Sequence, residues 1–70
     1  MALTKRQRKE RLGRGGQKRI AQRLGVSDSL VSAVMNGKTQ ILGKESVAKV
    51  RHAVAEEIGE PVEDVWGNAA

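Results

Sequence analysis

Apolar residues recur at helical spacing in this chain, and nowhere do they alternate with polar ones as a half-buried strand requires. Ile20, Ala21 and Leu24 predict a short helix over Gln17–Leu24, ended by Gly25. Ser27 is a good N-cap and Asp28 puts a negative charge into the first turn of the next helix, which runs to about Met35. Asn36-Gly37 stops it, and residues 39–43 form a loop. From about Lys44 a stripe of Val47, Val50, Val54 and Ile58, flanked by Ala53 and Ala55, predicts a longer helix. Gly59 and Pro61 end it, and Pro61–Trp66 forms one last turn. Residues 4–12 hold good helix formers with a weak apolar face, a first helix frayed at its start and broken by Gly13, Gly15 and Gly16. The pattern therefore predicts an all-α, compact bundle of about five short helices.

Composition narrows the function more than the fold. Seventy residues make one domain at most. A chain of this size buries only about 60% of its unfolded surface, too little to build a deep catalytic cleft easily. There is no Cys and one His, which excludes disulfides and Cys- or His-based metal clusters. No nucleophile, base and orienting group can be assembled from these residues, so neither an enzyme nor a cofactor is expected. No apolar run approaches the roughly 18 residues of a membrane span, and none follows the basic N-terminus as a signal peptide requires. A cytoplasmic, nucleoid-associated location is the expectation.

The charge is uneven. Residues 1–24 carry nine bases (Lys5, Arg6, Arg8, Lys9, Arg11, Arg14, Lys18, Arg19 and Arg23) and one acid, Glu10, a net +8. Residues 25–55 carry +2, and residues 56–70 carry −5 through Glu56, Glu57, Glu60, Glu63 and Asp64. Clustered Lys and Arg displace counterions from a phosphate backbone, so the basic front reads as a polyanion-binding surface. A basic amphipathic membrane helix fits poorly, since Leu3 and Leu12 are the only large aliphatics besides Met1 in residues 1–14.

The segment 17–36, QKRIAQRLGVSDSLVSAVMN, matches the twenty-residue helix-turn-helix wherever that motif has a steric reason. Ala21 stands where two helices approach closely and Gly25 where positive φ is required. Ile20, Leu24, Val26, Val31 and Val34 occupy the buried positions. Gln17, Ile20-Ala21 and the LGVS string resemble the Cro and lambda-repressor-like family. Val31 to Lys38, VSAVMNGK, and the helix over 46–59 resemble the lac-repressor headpiece. The tail EPVEDVWG is similar to the ending of Cro-like domains rather than of headpieces, and Ala33 replaces a headpiece Arg, so that contact is not carried over. The resemblance covers roughly residues 15–66. It divides the chain into a basic N-terminal helix or arm (1–14), a DNA-binding domain (15–66) and a tail (67–70).

What the resemblance implies is sequence-specific binding of double-stranded DNA. The third helix then lies in the major groove with its N-terminal residues toward the bases. Its outward positions, and so the candidate base contacts, are Ser27, Asp28, Ser29, Ser32, Ala33 and Asn36. Ala33 suits a thymine methyl and Asp28 a cytosine amino group. Asp28 also reads as a dipole-stabilising acid, Asn36 as a helix end and Ser27 as a cap. Candidate phosphate contacts are Arg14, Gln17, Lys18, Lys38, Thr39, Gln40 and Lys44; in the family the Gln also braces the recognition helix. Lys5, Arg6, Arg8 and Lys9 are a candidate arm along the backbone or into a minor groove. Arg19 and Arg23 read as solvated, Glu56 and Glu57 as a solvated far side, and His52 as a surface or half-buried structural residue. Trp66 reads as a lid beside Val62 and Val65 or as a dimer contact.

These expectations describe a transcriptional regulator, a Cro-like repressor of bacteriophage or prophage origin. It acts as a homodimer on a two-fold operator, with no small-molecule effector and no membrane partner. The alternatives are a DNA-bending recombination-directionality or architectural protein, and an antitoxin-type module with a protein partner.

Overall fold

A computed structural model describes residues 2–40 and 42–67. The predicted helices are present in order: α1 (Lys5–Leu12), α2 (Gly16–Leu24), α3 (Asp28–Met35), α4 (Lys44–Ile58) and α5 (Val62–Trp66). The architecture is all-α, with no strand among the described residues. No helix is long and apolar enough to cross a membrane.

The helix starts follow from local chemistry. Thr4 caps α1 in a full capping box: its hydroxyl accepts from the Gln7 N–H, and the Gln7 side chain accepts from the Thr4 N–H at 2.8 Å. α1 therefore begins firmly, where the sequence predicted fraying. Ser27 caps α3 by accepting from the Leu30 N–H at 3.1 Å. Between α2 and α3, Gly25 is left-handed at φ 69°, ψ 32°. That conformation lets the Val26 N–H reach back to Ala21 O at 2.9 Å, closing one helix and aiming the next.

α4 forms the spine against which the other four helices pack. Its Val50, Ala53, Val54 and Ala55 meet Ile20 and Ala21 of α2 and Val31, Val34 and Met35 of α3. The predicted positions Leu24, Val26, Val47 and Ile58 line the edge of this core rather than its centre. Leu12 and Met35 join the centre and were not predicted there. No polar residue is fully buried among the described residues, but the Nε atoms of Arg8 and Arg51 are buried without a hydrogen-bond partner.

Two features fix α1 against this core without an apolar stripe. Leu12 packs directly over Gly16, where any Cβ would overlap its side chain. Gly16 was expected only to break a helix; it is the contact at which α1 meets α2. The second feature is Arg8, half-buried and turned inward. Its guanidinium donates to Leu3 O at 2.8 Å, Val65 O at 3.4 Å and Met35 O at 3.5 Å. The Leu3 N–H also donates to Asp64 O at 3.0 Å, tying the first residues to α5.

Candidate nucleic-acid interface

α3 buries Val31, Val34 and Met35, which leaves its other face outward. Asp28, Ser29, Ser32, Ala33 and Asn36 of that face line an open groove of about 430 Å³ together with Gln17 of α2 and Lys38 beyond α3. Five of the six predicted base-contacting residues are thus brought together with two of the predicted phosphate contacts. The sixth, Ser27, is exposed beside them, with its oxygen accepting the capping bond.

Two groove residues are partly committed to each other. The Asn36 amide donates to Ser32 O at 2.9 Å and to Ser32 Oγ at 3.3 Å. Asn36 therefore secures the end of α3, which is the structural half of its expected role. Asp28 has no hydrogen bond or ion pair among the described residues. Asp28 and Lys38 are the only charged residues lining the groove.

The remaining predicted phosphate contacts lie outside the groove. Arg14 and Lys18 are exposed where α2 begins; Gln40 and Lys44 are exposed, and Thr39 half-buried, around the α3–α4 connection. No ion pair engages Arg14, Lys18, Lys38 or Lys44 among the described residues.

Of the two forms expected for residues 1–14, helix or arm, the structure shows the helix. Lys5, Arg6, Arg8 and Lys9 stand on the capped helix α1, not in an extended segment able to thread a minor groove. Arg6 pairs with Glu10 at 3.4 Å, one turn along the same helix. Arg8 stacks over Trp66, its guanidinium carbon 4.3 Å from the ring centroid. Three carbonyl partners and that ring hold it inward, and burial, with Arg51 nearby, lowers its pKa. Only Lys5 and Lys9 keep side chains exposed and unpaired on this stretch.

The acidic tail segment turns out to meet this chain's own bases. Arg11 pairs with Glu60 at 3.5 Å, Arg19 with Glu57 at 3.7 Å, and Arg23 with Glu56 at 2.5 Å. Arg19 and Arg23 were read as solvated, and Glu56 and Glu57 as a solvated far side; they form a ladder between α2 and α4. The hydrogen bond from Arg23, then its charge, holds the Glu56 carboxyl below the usual carboxylate range. These pairs are exposed and stabilise little singly. Their greater effect is to neutralise three arginines that composition alone assigns to the DNA-facing charge.

Trp66 is engaged within the chain. The Arg8 and Arg51 guanidiniums both approach its ring, and its Nε1–H donates to Arg51 O at 2.9 Å. His52 is exposed in a second groove of about 470 Å³ between α2 and α4, over Leu24, Ala48 and Ala53. No cluster of three or more His, Asp or Glu able to hold a metal exists among the described residues.

No family model, curated protein or solved structure matches this chain.

Proposed function

We propose that this chain binds double-stranded DNA sequence-specifically, with α3 in the major groove, and acts as a transcriptional regulator. The observation that carries the reading is the outward face of α3. A short helix of about 12 Å presents Asp28, Ser29, Ser32, Ala33 and Asn36 along one open groove. The major groove is about 12 Å wide and admits such a helix, and small polar side chains can approach its base edges closely. Gln17 and Lys38 line the same groove and add groups able to bind phosphate.

The mode of action we propose is that of a Cro-like repressor of bacteriophage or prophage origin, working in the cytoplasm of its host. One module of this size buries too little surface for high specificity, so two copies occupy a two-fold operator. The unpaired bases Arg14, Lys18 and Lys44, with Lys38, supply the electrostatic part of the affinity.

Selection of bound sequences from a random duplex pool tests this, with the mass of the complex measured. A palindromic consensus carrying two chains is the expected result. An asymmetric site bound by one chain overturns the dimer, and no enrichment at all overturns the DNA-binding reading.

A further inference from the structure

We infer that Asp28 is a specificity-determining residue that selects cytosine at one position of the contacted strand and lowers affinity for non-specific DNA. The inference rests on the DNA-binding reading above. Asp28 is the first residue of α3, exposed, and lines the groove beside Ser29, Ser32 and Ala33. Helix ends often employ such an acid as a cap, but here that position is filled. Ser27 Oγ accepts the Leu30 N–H, and Asp28 has no hydrogen bond or ion pair among the described residues. Its carboxylate stands in the first turn, where the helix dipole favours it, and is free to accept a bond at the end of the helix that faces the bases in this docking geometry.

A carboxylate only accepts hydrogen bonds. In the major groove only cytosine N4 and adenine N6 donate; guanine shows two acceptors, and thymine an acceptor and a methyl group. Adenine sets its N7 acceptor beside the amino group, which repels an anion. Cytosine carries a C–H there instead, so it is favoured over adenine, and both over guanine and thymine. Nothing close by reverses this order. Ala33 offers a methyl group, the Ser29 and Ser32 hydroxyls carry no charge, and Lys38, the one cation among the described residues lining the groove, lies beyond the opposite end of α3. The same carboxylate repels phosphates, so duplexes that offer no cytosine there pay a penalty without a compensating bond.

The test is the duplex-pool selection run on the full chain, on Asp28→Asn and on Asp28→Ala, with thermal melts confirming that each variant is folded. The wild type is expected to enrich cytosine at one position per half-site by at least about fivefold, the low end of what a good base contact gives. Asp28→Ala is expected to lose that enrichment and Asp28→Asn to shift it toward adenine, while both bind a scrambled duplex more tightly than the wild type. Tighter non-specific binding is a result that simple damage to α3 does not produce. An unchanged consensus in both variants overturns the inference and leaves DNA binding standing. Absence of any enriched sequence for the wild type overturns the DNA-binding reading itself, and the inference with it.

Discussion

The guanidinium carbon of Arg8 lies 4.3 Å from the centroid of the Trp66 ring, and Arg51 approaches the same ring at 5.5 Å. The stack joins α1, α4 and α5, and through Met35 O it reaches the end of α3. It stands in for the aliphatic stripe that α1 lacks. Arg8→Ala is expected to destabilise the fold by about 1–3 kcal/mol through lost hydrogen bonds and lost stacking. That corresponds to about 4–8 °C of melting temperature per kcal/mol for a domain of this size. Arg8→Lys keeps the charge without the planar fork and is expected to recover less than half of the loss. A melt of Arg8→Ala coincident with wild type excludes this role.

Gly16 gives a second stability prediction. A Cβ there overlaps the Leu12 side chain in the core, so Gly16→Ala is expected to cost about 1–3 kcal/mol through overpacking. Gly43 supplies the control. Its φ is −69° and an added Cβ meets nothing within 4 Å, so Gly43→Ala creates no overlap and is expected to cost less than Gly16→Ala, at most the loss of a favourable N-cap residue. Chemical denaturation of the two variants in parallel checks the contrast.

The ion-pair ladder predicts which bases matter for DNA. Arg14→Gln and Lys18→Gln are expected to weaken duplex binding uniformly across sequences and to lower the salt slope by about one each. Arg23→Gln removes a base already paired with Glu56 and is expected to leave the slope nearly unchanged. Fluorescence anisotropy with a labelled duplex at several salt concentrations separates the two cases. Equal slopes for all three variants would contradict the assignment.

The same ladder predicts a pH dependence. The folded-state pKa of Glu56 is lowered, chiefly by the hydrogen bond from Arg23. A carboxylate of this kind contributes stability above its unfolded pKa, about 4.3, and loses it as pH falls through the lower folded value. Between about pH 5 and pH 3 the wild type is therefore expected to lose more melting temperature than Glu56→Gln. Parallel curves for the two proteins across that range would show that the pair contributes nothing.

Much of the fold was legible because four of the five helices announce themselves through an apolar face, a cap or a stop. Val50 and Val54, Ile20 and Ala21, Ser27 and Gly25 each satisfy a local rule that tertiary packing did not override. The groove residues were legible for a related reason: positions left over when Val31 and Val34 turn inward must share the opposite side of α3. Arg8 was not legible. A guanidinium stacked on a ring 58 residues away leaves no periodicity, and counted by composition it is one more base in a basic stretch. The acids of residues 56–60 misled in the same way, since a sum of charges does not say which arginines they neutralise. Thr4 and Gln7 are different, because Thr-x-x-Gln ahead of α1 is a local capping signature readable from sequence.

The bond from the Leu3 N–H to Asp64 O has a consequence for how the chain comes apart. It joins positions about sixty residues apart, so closing that loop carries an entropic cost that grows with the logarithm of its length. The first residues and α5 consequently hold or release each other as one cooperative unit. Trimming residues 2–4 is expected to loosen Trp66, and trimming α5 is expected to unwind the start of α1.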